Sequence, residues 1–394
     1  MPDPVIVGSA RTAIGKFGGG LVEVGAISLG AVVIREALAR CGVEAAQVDE
    51  VIMGTVYQGG LGPNPARQAA VEAGVPYAVP ATTINKLCGS GLKAIALAGQ
   101  AIASGEASII AAGGMENMSR VPHVLPNSRW GERLGHGKLV DLMLLDGLWD
   151  CFYDCHMGIT AENLAVQYGI SRAEQDRFAA QSQARYQQAA AAGLFAGEIV
   201  PVPVPQRKGE PLLFAQDEHP RADATAEKLA KLPAVFKPEG TVTAGNASGI
   251  NDGAAAVVVM AEETARQRGL KPLAHLRAVA AVGVDPAVMG IGPAPAIRRV
   301  LEKAGMKLDQ IDLLEVNEAF AAQVLAVGRE LEWDEARVNV KGGAIALGHP
   351  VGASGARLPV TLLAEMQRRQ LRWGLAALCI GGGMGIAALF ERSP

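Results

Sequence analysis

Ile34-Arg35-Glu36-Ala37-Leu38, running to a stop at Gly42, returns later in the chain as Ile297-Arg298-Arg299-Val300-Leu301, running to Gly305. The spacing between Gly42 and Gly305 equals that between Asp49 and Asp312, so the match extends beyond one short segment. Each copy reads as an apolar-periodic helix, a glycine stop and an apolar strand, Val51-Ile52-Met53-Gly54 in one and Leu313-Leu314-Glu315-Val316 in the other. Farther out, Ser90-Gly91 matches Ser354-Gly355, each predicted to open a helix. Gly113-Gly114-Met115 matches Gly382-Gly383-Met384, each predicted to close a buried strand. A repeat with its parts in one order predicts two similar α/β units facing each other, with glycine turns on both sides of one cleft.

Between the copies, residues 119–247 lack the pattern. Two helical stretches are predicted there, around 160–168 and 173–192, with a proline-rich strand-like piece over 199–204. An insertion of this length is usually functional, and here it is expected to cover a ligand. The 394 residues suffice for two or three domains. With 48 glycines and only 4% aromatics, the composition suits closely packed helix and sheet layers. A net charge of −3 argues against a nucleic-acid partner. Five irregularly spaced cysteines do not read as a disulfide framework, which favours a reducing compartment. The first residues read as a strand rather than a leader, and no membrane-type apolar stretch is evident, so a cytoplasmic location is expected.

Four groups framed by small residues carry the candidate chemistry. Cys88 precedes Gly89-Ser90-Gly91, the start of a small-residue helix, where a positive helix end favours a thiolate and free amides can hold an oxyanion. Read alone, Cys88 could equally be a buried structural thiol. His349 stands in a glycine-rich loop before Pro350, and its neutral-range pKa suits a base toward a thiol. Cys379 lies at the end of the apolar run Leu375-Ala376-Ala377-Leu378, before Gly381-Gly382-Gly383. That glycine run lacks the spacing of a dinucleotide turn, so oxyanion donation is its better functional reading. Cys151, Cys155 and His156 match no common zinc spacing, and no metal is expected. Cys41, at a helix end, reads as structural.

Taken together, Asn85 to Ala94, Gly113-Gly114-Met115-Glu116, Asn317-Glu318-Ala319-Phe320, Gly342 to Gly355 and Cys379 to Gly385 resemble the motifs of the thiolase family, in its order and over nearly the whole chain. The resemblance implies an α/β fold with a five-layered αβαβα core of two duplicated halves. Residues 1–118 and 248–270 would form the N-terminal half, 119–247 a loop domain, and 271–394 the C-terminal half, in a homodimer or homotetramer. It implies that Cys88 is acylated, that His349 activates it, and that Cys379 is the acid/base of the second half-reaction. Asn317 with His349 would form one oxyanion site, and the amides of Cys88 and Gly381 the other. Coenzyme A would be held by Leu148, His156, Met157, Arg221, Phe236, Ala244, Ser248, Ala319 and Phe320, with no cofactor beyond CoA itself. The implied activity is reversible acetyl-CoA C-acetyl transfer, with His156 and Met157 narrowing the acyl pocket. A broad-chain 3-ketoacyl-CoA thiolase shares the same residues. A ketoacyl synthase would use two histidines in place of the second cysteine, and a silent CoA-binding homologue would be free to lose all four groups.

Overall fold

The repeat in sequence is a repeat in topology. The computed structural model describes residues 2–392. Nine strands carry its main sheet: β1 (Pro4–Thr12), β2 (Glu50–Gly54), β3 (Ala81–Ile84), β4 (Ile109–Asn117), β5 (Asn251–Ala261), β6 (Ala274–Gly283), β7 (Leu313–Val316), β8 (Trp373–Ile380) and β9 (Met384–Glu391). The principal helices are α1 (Ala26–Arg40), α2 (Pro65–Glu72), α3 (Ser90–Ser104), α4 (Met157–Gln167), α5 (Arg172–Ala191), α6 (Pro293–Ala304), α7 (Ala321–Leu331) and α8 (Val351–Arg369).

The strand order is β7-β8-β9-β6-β1-β5-β4-β2-β3, with the two-residue strands Gly15–Lys16 and Ile199–Val200 pairing at the side. Between β6 and β1 the sheet is joined by only two residue pairs, Val5–His275 and Ile6–Ala274. On one side β2 and β4 are parallel, β4 and β5 antiparallel, and β5 and β1 antiparallel. On the other, β7 and β8 are parallel, and β8–β9 and β9–β6 antiparallel. Where the first half places β3, the second has a single parallel bridge between Leu314 and Val338.

Period-two alternation sends successive side chains of each strand to opposite faces. Ala111 and Met115 of β4 pack with Val33, Ile34 and Ala37 of α1 in one outer core. Ile110 and Ala112 face the other way, into a central core with Leu92 and Ile95 of α3, Leu358 and Leu362 of α8, and Leu378 and Ile380 of β8. Leu375 and Ala377 of β8 turn outward to Ile297 and Val300 of α6. Helices therefore cover both faces of both halves, and α3 and α8 are shared between them. The result is five layers, αβαβα. Burial on both faces explains why β4, β5 and β8 are near-continuous apolar runs. Each fully buried Leu or Ile of the central layer contributes roughly 1.5–3 kcal/mol.

α3 and α8 cross with backbones almost touching. A Cβ added at Gly91 would lie 2.5 Å from the amide nitrogen of Ala356, and one at Gly355 would lie 2.4 Å from that of Leu92. Leu87–Ser104 is long and apolar enough to cross a membrane by length and composition alone, although it carries the charged Lys93. Its position between two sheet halves accounts for that composition. One expectation needs correction. Gly113-Gly114 does not close a strand but lies inside β4, where a Cβ on Gly114 would stand 2.1 Å from the carbonyl oxygen of Gly352. Gly382 and Gly383 do form a turn, with φ of +72° and +79°, between β8 and β9.

Apart from Ile199–Val200, residues between β4 and β5 leave the sheet. α4 and α5 pack on α7, and a short hairpin pairs Trp149–Asp150 with Cys155–His156. A buried ionic cluster ties this segment to both halves: Arg11 of β1 bonds Asp217 at 2.7 Å and lies 3.5 Å from Glu198, which Lys341 approaches to 3.4 Å.

Candidate active site

Cys88 and His349 each stand two residues before a central helix, α3 and α8 respectively. The turn that presents Cys88 is locally strained: Leu87 has φ of +48°, a left-handed conformation rare outside glycine. Side chains hold it there. Asn85 Oδ1 accepts from the Leu87 amide at 2.9 Å, and Ser90 Oγ accepts from the Lys86 amide at 2.8 Å while donating to the Leu87 carbonyl at 2.6 Å. Cys88 is half-buried and opens onto a cavity of about 300 Å³. Burial pushes its thiol up, to about 11, against the backbone amides of Gly381 and of Cys88 itself, which pull it down. Those two amides therefore converge on one sulfur.

His349 is buried and its tautomer is set by its partners. Ser354 Oγ donates its single proton to the Pro350 carbonyl at 3.0 Å, so at 2.6 Å from His349 Nδ1 it acts as acceptor. Nδ1 thus carries the hydrogen and Nε2 the lone pair, toward which Asn317 Nδ2 points at 3.3 Å. The His349 amide donates to Asn251 Oδ1 at 2.9 Å, and Asn251 Nδ2 donates to the Gly15 carbonyl. Burial, with the nearby Arg357 cation, pulls the imidazole down to about 3. It is neutral at pH 7 and able to accept a proton.

Cys379 is fully buried in β8, packed among Met157, Met289, Ala319 and Phe320, which line the cavity. Burial drives its thiol strongly upward, and charge on Cys88 adds to that. Asn317 is also fully buried. Gly381 lines the cavity, where a Cβ would stand 2.8 Å from Met157 Cε.

Of the residues expected at coenzyme A, eight line this cavity: Leu148, His156, Met157, Phe236, Ala244, Ser248, Ala319 and Phe320. His156 begins α4, its Nδ1 accepting from the Gly158 amide at 3.0 Å, and its ring stacks on Phe236 at 4.6 Å. Phe236 meets Phe320 edge-on at 6.1 Å. Burial lowers the His156 pKa, leaving a neutral ring in an aromatic wall. Arg221 is the exception. It is exposed and absent from the lining, two residues from His219, whose ring crowds cavity-lining Gly249. Sequence reasoning missed Met118, Ile250 and Val351 of the lining, and Ser354 and Asn251 behind His349. Only Ser354 had a signal, its place in the glycine-rich His349 loop.

Residues 4–263 match the family described as thiolase, N-terminal domain, and residues 270–392 match thiolase, C-terminal domain. The chain is 60% identical over 392 residues to the acetyl-CoA acetyltransferase of Pseudomonas aeruginosa and 59% identical over 392 residues to that of Cupriavidus necator, covering all of each protein. Its structure aligns over its whole length with the crystal structure of Bacillus anthracis acetyl-CoA acetyltransferase, at 48% identity, 99% coverage of that chain and a TM-score of 0.98. The chain belongs to the thiolase family.

Proposed function

We propose that this chain is an acetyl-CoA acetyltransferase that joins two acetyl-CoA molecules into acetoacetyl-CoA and free CoA, reversibly, through an acetyl thioester on Cys88. The observation that carries this reading is the convergence of the Cys88 and Gly381 amides on the Cys88 sulfur, beside a neutral His349, at an apolar cavity.

In the first half-reaction His349 Nε2 takes the Cys88 proton as the sulfur attacks the thioester carbonyl. The two amides hold the oxyanion. The bond from carbonyl carbon to CoA sulfur breaks, and the departing thiolate takes the proton of Cys379. A thiol raised by burial is still protonated at pH 7 and is available as this acid. In the second half-reaction the Cys379 thiolate, a strong base for the same reason, removes an α-proton from the next acetyl-CoA. The resulting enolate oxygen lies against Asn317 and His349. The enolate carbon attacks the acetyl group, Cys88 leaves, and its thiolate recovers the proton held by His349. Splitting one transfer into two thioester steps avoids a termolecular reaction.

The pantetheine arm would run along Leu148, Ala244 and Ser248, with the aromatic wall of His156, Phe236 and Phe320 beside the thioester and Arg221 outside, toward the nucleotide. Leu125, Trp130, Leu134 and Leu139 are exposed on one surface segment, with Leu134 at 99%. That segment supports assembly into a homodimer or homotetramer. The test is CoA-dependent thiolysis across 3-ketoacyl-CoA substrates of four to sixteen carbons, beside Cys88→Ala. Activity confined to acetoacetyl-CoA and lost in the variant is expected. A rate that holds or rises with chain length would move the protein to broad-chain degradation. Undiminished cleavage by Cys88→Ala would end the covalent reading.

A further inference from the structure

Glu116, at the end of β4, is buried to 1% exposure and no cation touches it among the described residues. Both its oxygens are nonetheless fully engaged. Oε1 accepts from Thr55 Oγ at 2.9 Å and the Tyr57 amide at 3.3 Å, and Oε2 accepts from the amides of Val56 and Gly352, both at 2.9 Å. The first three donors belong to the same half as Glu116. Gly352 belongs to the other half and is the second residue of α8.

α8 lacks a cap of its own. Its N-cap residue is Pro350, which has no side-chain acceptor, and the amides of Ala353 and Ser354 both go to the Pro350 carbonyl. The Gly352 amide would be an orphan donor without Glu116. We propose that Glu116 is a positioning residue for acyl transfer, capping α8 from the opposite half and so fixing His349 relative to Cys88. This rests on the reading of His349 as the base. Only the fixed ring of Pro350 and buried Val351 separate His349 from the bonded amide. The fit is close: a Cβ on Gly352 would stand 2.5 Å from Glu116 Oε2. A carboxylate out of water without a cation is costly. Burial pushes Glu116 up to about 7, against its four donors, and its charge in turn disfavours the Cys88 and Tyr57 anions. Its oxygen supplies the side-chain acceptor that the first turn of α8 lacks, because Pro350 offers none.

The test compares three variants in acetoacetyl-CoA thiolysis. Glu116→Gln can keep its amide oxygen on Val56 and Gly352 and turn its NH₂ toward Thr55, whose hydroxyl can reverse, losing only the long Tyr57 bond at 3.3 Å; kcat within about fivefold of wild type is expected. Glu116→Leu removes the acceptor, and kcat should fall on the order of 10²-fold from misplacement of the base, with KM for CoA within about twofold. Alkylation of Cys88 by iodoacetamide at neutral pH should slow to the rate of His349→Ala. Glu116→Asp keeps the charge but is too short for Gly352, and should fall about tenfold. If the Leu variant does not fold, the Gln–Asp pair decides: Gln more active than Asp supports the cap, and Asp more active than Gln overturns it. Wild-type turnover in the Leu variant, or a loss confined to KM, also overturns it. An active Cys88→Ala would instead defeat the covalent reading, whatever the Glu116 variants do.

Discussion

Two helices begin at the site, and their first turns are finished in opposite ways. α3 starts after Gly89 with no side-chain cap, and the amides of Cys88, just before it, and of Gly381, just after β8, are directed at the Cys88 sulfur. α8 starts after Pro350 with its Gly352 amide taken by a carboxylate from the other half. A helix N-terminus carries about half a positive charge. At α3, on the proposed mechanism, that potential is left for the thiolate and the oxyanion of the substrate. At α8 it is spent inside the protein, and the loop so fixed holds a neutral base. The duplicated scaffold thus makes one end an anion receptor and the other a rigid mount, because the two halves place different residues around equivalent helices.

The sharpest way to break this comparison is to remove the second thiol, which belongs to neither helix end. In Cys379→Ala, turnover in either direction should fall about 10³-fold, the range of a lost general acid/base. Acylation should survive, because a CoA thiolate, with an ordinary thiol pKa near 8.5, can depart without an acid. Mixing the variant with acetyl-CoA should therefore release a burst of one CoA per chain. If no burst appears, the two thiols act as a unit, and acylation is not the business of the α3 end alone.

The parts of this design that follow from local pattern were legible in the sequence. The duplicated helix-glycine-strand motif gave the two-half topology, because apolar periodicity and glycine stops are local. Small residues around Cys88, His349 and Gly381 marked three residues that the fold gathers at one cavity, because close backbone approach excludes a Cβ wherever it occurs. Glu116 and Asn251 were illegible in their roles, since their partners, Gly352 and the His349 amide, lie in the opposite half of the chain. Gly113-Gly114 was misread because a glycine that admits a neighbouring backbone looks, in sequence, like one that makes a turn. The matching Gly382-Gly383 pair turns, whereas Gly114 makes room for the Gly352 carbonyl. Arg221 has no local signal separating a ligand contact from a solvated surface charge, and it proved exposed and outside the lining.

A smaller effect tests the mount at α8 from inside. Ser354 fixes the His349 tautomer by accepting from Nδ1–H. In Ser354→Ala the hydrogen is free to move to Nε2, which removes the lone pair from the side facing Asn317. A kcat loss of about tenfold is expected, below the full general-base contribution because the productive tautomer stays populated. Ser354→Thr should restore most of the rate. An unchanged rate in the alanine variant would mean that Asn317 alone orients the ring.

The least visible consequence lies in stability, where the two buried groups at the α8 end pull in opposite directions. His349 titrates near 6.5 when unfolded and at about 3 when folded. Between those values only the unfolded chain binds the proton, so acidification favours unfolding, by up to about 1.4 kcal/mol per pH unit. Glu116 titrates near 4.3 when unfolded and at about 7 when folded. Between those values only the folded chain binds the proton, so acidification favours folding at a similar slope. From about pH 6.5 to 4.3 the two slopes oppose each other and largely cancel in the wild type. Urea unfolding at several pH values in this window separates them. Relative to wild type, His349→Gln should gain stability as pH falls, because it keeps the glutamate arm and loses the histidine arm. Glu116→Gln should lose stability over the same window for the converse reason. Other buried groups, Glu315 among them, are common to all three proteins and drop out of the differences. A variant whose profile parallels wild type would mean that the group it lacks is solvated in the folded protein, and with it the claim that α8 begins in a dry, fully bonded mount would fall.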